Sequence, residues 1–132
     1  MTQLGITLKV SLPYEKALNR AIQVLKEEGF GVLTKIDVQK TMQEKLGAAF
    51  RKYTILGMCN PPLAYQALTL KPEIGLLLPC NVVVYEEEDG TVINIFDPLS
   101  MFAVMQDSQL EPIAQEAHGR LKRAAEALQT ME

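Results

Sequence analysis

Between Gly5 and Val10, Ile6, Leu8 and Val10 alternate with Thr7 and Lys9, the period of a half-buried strand. Tyr14, Ala17, Leu18, Ala21, Ile22 and Leu25 then recur at helical spacing, which predicts an amphipathic helix with one buried stripe. Ser11 is placed to cap it, and Gly29 to end it in a left-handed turn. Phe30, Val32, Thr34 and Ile36 alternate as a second strand. Asp37 follows as the cap of a short helix with Val38, Met42 and Leu46 on one face.

The densest apolar stretch runs from Tyr53 to Val84, and the rest of the chain is organised around it. Tyr53 to Met58 is apolar on both alternating faces, as an inner strand should be. Asn60 can accept hydrogen bonds from free helix N–H groups and Pro61 suits a first helical position. A helix is therefore predicted after Asn60, buried along Leu63, Ala64, Ala67 and Leu68 and stopped at Lys71-Pro72. Glu73 to Leu78 allows one more turn before Pro79. Asn81 to Tyr85 is a β-branched run that predicts a strand buried on both faces. Asp89-Gly90 is a favoured hairpin pair, so Thr91 to Phe96 returns as its partner strand. Asp97-Pro98 opens a short helix with Leu99, Phe102, Ala103 and Met105 available for burial. Leu110, Ile113, Ala114, Ala117, Leu121, Ala125 and Leu128 give a long closing helix its apolar stripe.

This order predicts one α+β domain over residues 1–132: an antiparallel sheet packed by two main helices, with short helical insertions. A chain of 132 residues buries enough surface to fold without disulfides or a structural metal. Its net charge of −3 argues against binding to nucleic acid. The N-terminal segment lacks the pattern of a secretory signal and no apolar run reaches membrane-spanning length. The expected setting is thus the cytoplasm, where the two cysteines stay reduced.

Candidate chemistry gathers where strands end. Cys59 precedes a helix start, where the dipole favours a thiolate, and Cys80 opens a strand that can pair with the one ending at Cys59. If those strands are antiparallel neighbours, both thiols face one pocket. The alternative is that both are small buried hydrophobes. Asn60 and Asn81 can present amides to a ligand, although capping and turn closure are sufficient reasons for them. Asp97 is a general base only if burial raises its pKa; at a strand end it equally serves as a cap. His118, the only histidine, lies at the edge of the closing helix's stripe and reads as a packing residue. Spacings for a CxxC redox pair, a zinc knuckle, an EF-hand or a phosphate loop are absent.

The segments Leu56-Gly57-Met58-Cys59-Asn60-Pro61, Ala64, Glu73 to Val84 and Asp97-Pro98 with Met101 resemble the bacterial and archaeal domain-of-unknown-function family numbered 302. The resemblance extends more loosely from the first strand to the closing helix. It implies a TATA-binding-protein-like β-α-β(4)-α arrangement, often paired as a homodimer, and no established reaction. Cys59, Asn60, Cys80, Asn81 and Asp97 carry over as motif positions. Three functions remain open: a non-enzymatic, dimeric domain holding a small ligand near these motifs, a thiol redox or soft-metal protein using Cys59 and Cys80, or an interaction module whose exposed apolar face completes a partner.

Overall fold

The computed structural model describes residues 4–130. Five antiparallel strands form one sheet in the order β1-β5-β4-β3-β2. They are β1 (Gly5–Val10), β2 (Gly31–Asp37), β3 (Tyr53–Cys59), β4 (Cys80–Glu87) and β5 (Gly90–Phe96). The central hairpin β4–β5 pairs outward with β3 and β1, leaving β2 at an edge. Helices α1 (Tyr14–Glu27) and α5 (Glu111–Thr130) are the two long ones; α2 (Val38–Leu46), α3 (Pro61–Leu70) and α4 (Pro98–Met105) are short, and Pro72–Leu77 is a 3₁₀ turn. The arrangement is the α+β, β-α-β(4)-α fold.

Alternation decides the main core. Leu8 and Val10 of β1, Leu56 and Met58 of β3, Val82 and Val84 of β4, and Ile93 and Ile95 of β5 point to one face. There they meet Ala17, Leu18, Ala21, Val24 and Leu25 of α1 and Ala117, Leu121, Ala124, Ala125 and Leu128 of α5. Alanines dominate the sheet-facing stripe of α5, which lets the helix lie close to its neighbours. A second, smaller cluster joins Ala67 of α3, Ile74 of the 3₁₀ turn, Met101 of α4 and Leu110. The inserted helices thus build their own core beside the main one.

Several local expectations are corrected. Pro13, with extended ψ, is the N-cap of α1 in place of Ser11, and no side chain caps that end. Helix α2 forms where expected, capped by Asp37 Oδ1 accepting from Lys40 N at 3.0 Å, yet none of its residues is buried. It follows edge strand β2, whose residues are all exposed, and so finds no apolar layer to pack on. Strand β4 is buried on one face only: Val82 and Val84 are buried, Val83 and Tyr85 partly, and Asn81 is exposed. The reason is that α1 and α5 pack against the side of the sheet carrying Val82 and Val84. In α4, Pro98 and Met101 are buried; Ala103 is exposed and Leu99 and Met105 are intermediate, while the side chain of Phe102 lies outside the described residues. Among the described residues, no helix is long and apolar enough to cross a membrane.

Candidate functional site

The helix that follows Cys59 starts as its sequence dictates. Asn60 has extended backbone angles and its Oδ1 accepts from Leu63 N at 3.2 Å, with Pro61 and Pro62 in the first turn. Asn60 is itself buried, because the end of α1 closes against it. Gly29 adopts φ +89°, and a Cβ there would lie 2.9 Å from Asn60 Nδ2 and 3.3 Å from Arg120 Nη1. Only glycine combines that conformation with so close an approach. Arg120 fixes the same corner by donating from Nη1 to Glu28 O at 3.2 Å.

Beside this corner the two hydrophobic clusters do not meet fully. Between them lies a cavity of about 270 Å³. Phe30, Met58, Leu63 and Ala117 contribute from the main-core side, and Ala67, Leu78, Met101 and Ile113 from the smaller cluster. Cys59, Asn60 and Cys80 complete the wall with Pro79 and Pro98, and among the described residues no charged side chain lines it. This explains a further departure from expectation. Of Leu63, Ala64, Ala67 and Leu68 on α3, only Ala67 is buried, since the stripe borders the cavity instead of filled core. Leu33 and Leu68, 65% and 39% exposed, also line the cavity and so mark its opening to solvent.

Of the five candidate positions, the fold brings three to the cavity. Register explains which. Cys80 pairs with Met58 and Asn81 with Gly57, so Cys80 shares the buried face with Val82 and Val84 while Asn81 is exposed on the other. Strand alternation would set Cys59 in phase with Tyr53, Ile55 and Gly57, yet at the end of the sheet both cysteines line the same cavity. Burial, reinforced by the neighbouring Cys59, pushes the Cys80 thiol up to about 11; it is a neutral thiol at ordinary pH. Among the described residues no three His, Cys, Asp or Glu side chains cluster as a metal site.

Asp97 does not line the cavity, although the next residue, Pro98, does. Its Oδ1 accepts from Leu99 N at 3.0 Å, as a cap would. The same oxygen lies 2.9 Å from His118 Nδ1, a partner that no local pattern assigns. The lining residues Phe30, Leu33, Ile113, Ala114 and Ala117 carry no local pattern of a site either. Helical period marks Ile113, Ala114 and Ala117 as inward-facing, which does not distinguish a cavity wall from packed core. Leu33 had no signal at all: it is skipped between the pairs Val32–Met58 and Thr34–Gly57, a bulge that re-aims one side chain.

The whole-chain comparisons agree with this architecture. No curated protein matches the chain. A crystal structure of the uncharacterized conserved protein DUF302 from Bacillus stearothermophilus is 35% identical, with a TM-score of 0.85 over 93% of this chain and 96% of that one. Residues 6–128 match the family described as domain of unknown function DUF302, and the chain belongs to that family.

Proposed function

We propose that the protein is a non-enzymatic, homodimeric domain that holds a small molecule in the cavity between its two hydrophobic clusters. The observation that carries this reading is that the Cys59-Asn60 and Pro79-Cys80 segments, twenty residues apart in the chain, line one cavity. A pocket with mostly apolar walls and few polar groups is the usual form of a small-molecule site. Native mass spectrometry of purified protein after exposure to extract fractions should find a retained molecule. A bare protein across broad metabolite panels would leave a structural role instead.

Dimerisation is supported by apolar surface left over in the single chain. Edge strand β2 exposes Val32 and Ile36, and nearby Leu46 and Phe50 are 74% and 43% exposed. A long exposed apolar edge invites pairing with another chain. Sedimentation at micromolar concentration should give twice the chain mass, and Ile36→Lys should shift it to the monomer. A wild-type monomer under those conditions removes this part.

Thiol chemistry is the second reading, favoured by Cys59 and Cys80 lining the same cavity. A reversible disulfide or a soft ion such as copper(I) are its two forms. The neutral thiol of Cys80 weighs against it. Both sulfurs would remain reduced in the cytoplasm. Peroxide treatment followed by intact-mass measurement decides the disulfide form, and an unchanged mass removes it.

A further inference from the structure

We infer that the ligand is an uncharged, apolar molecule of one or two rings, admitted past Leu33 and Leu68; this rests on the small-molecule reading above and names its chemical class. Three observations carry it.

The first is charge. Among the described residues, no Asp, Glu, Lys, Arg or His lines the cavity, and Cys80 is held as a neutral thiol by its burial. An ionic ligand would lose its water and find no counter-charge, which is costly in an apolar site. Nucleotides, amino acids and organic acids are therefore disfavoured.

The second is water. A volume of about 270 Å³ corresponds to roughly nine waters at liquid density, each needing ~2–4 polar partners. The wall supplies Asn60 and two weakly bonding thiols, and Asn60 Oδ1 already accepts from Leu63 N. Water there is poorly bonded, and an apolar molecule displaces it favourably.

The third is shape and softness. A dry cavity of about 150 Å³ admits benzene, so the larger volume suits one or two rings. Met58 and Met101 present polarizable, adaptable walls and Phe30 an aromatic one, surfaces that suit flat rings. At the mouth, the bulge in β2 turns Leu33 towards the opening without breaking the neighbouring pairs.

Isothermal titration with matched probes tests the inference: toluene against benzoate, and indole against indole-3-carboxylate. The neutral member of each pair should bind at least about tenfold more tightly than its carboxylate, reflecting the unpaired charge. Ala64→Phe, which fills the space from α3, should abolish binding of the neutral probes. Leu68→Ser, at the exposed rim, should weaken it severalfold with the melting temperature unchanged. Equal or tighter binding of the carboxylates, or neutral binding insensitive to both variants, overturns the apolar class and its location. If the neutral probes fail while a polar metabolite is retained in the cavity, the class falls and the small-molecule reading stands. If nothing binds, both fall.

Discussion

His118 Nδ1 on α5 lies 2.9 Å from Asp97 Oδ1 at the end of β5. That same oxygen accepts from Leu99 N at 3.0 Å, so one carboxylate both starts α4 and ties it to the closing helix. The two side chains are 26% and 19% exposed, enough to weaken the pair without dissolving it. Asp97→Ala should cost about 1–3 kcal/mol, since cap and pair are lost together. His118→Ala should cost less, about 0.5–1 kcal/mol. Urea denaturation of both variants and the double mutant measures this. If Asp97→Ala unfolds at the wild-type midpoint, the carboxylate does not hold the junction.

Cys80 gives the protein an alkaline signature. Burial favours the neutral thiol in the folded chain, raising it from 9.0 to about 11. Between those values the folded state binds more protons than the unfolded one, so stability falls as pH rises. The stabilisation is complete below pH 9.0 and is lost on passing about 11; a shift of this size corresponds to about 2–3 kcal/mol. Wild type should lose that much more stability than Cys80→Ala from pH 8.5 to pH 11 in parallel denaturation curves, which subtract titrations common to both. Alkylation read residue by residue should find Cys59 modified ahead of Cys80. Parallel curves together with a fast Cys80 contradict the buried-thiol assignment.

Gly57 is fixed by space. A Cβ on it would overlap Thr34 Oγ1 and lie 2.8 Å from Pro79 Cγ. Neither atom is the end of a flexible chain, so relief requires the backbone of β2 or of the Leu78-Pro79 segment to move. Gly57→Ala should destabilise by about 1–3 kcal/mol, and Thr34→Ala should restore part of the loss. A neutral Gly57→Ala by thermal denaturation would falsify the close packing of Pro79 on β3.

Asn60 holds the start of α3 through Leu63 N. Replacement by Ala should cost about 1–2 kcal/mol, whereas Asn60→Ser, which keeps an acceptor, should cost clearly less. Chemical denaturation separates the two. Equal losses would mean that contact with Gly29, and not capping, sets the residue's contribution.

Local rules were sufficient wherever one element decides its own form. The alternation in β1 and β3, the helical stripes of α1 and α5 and the cap at Asn60 are written in adjacent residues, and each is found in place; the hairpin forms one residue earlier than the Asp89-Gly90 pair, with Glu88-Asp89 in the turn and Gly90 already paired with Glu87. The positions of Cys59, Asn60 and Cys80 at strand ends were legible for the same reason. Exposure was not. Period tells which face of α2 or α3 is apolar, but only packing decides whether that face meets core, cavity or solvent.

The order and type of the elements follow from the residues alone, because hydrogen-bond period, proline and capping act over a few residues. Tertiary structure decided the rest. The register of β3 on β4 sent Cys80 and Asn81 to different surfaces, and the β2 bulge placed Leu33 at the cavity mouth. The meeting of two separately built clusters left the cavity, and the crossing of α5 over the end of β5 brought His118 to Asp97. Such contacts join residues far apart in the chain, so they depend on how whole elements pack and on no local pattern.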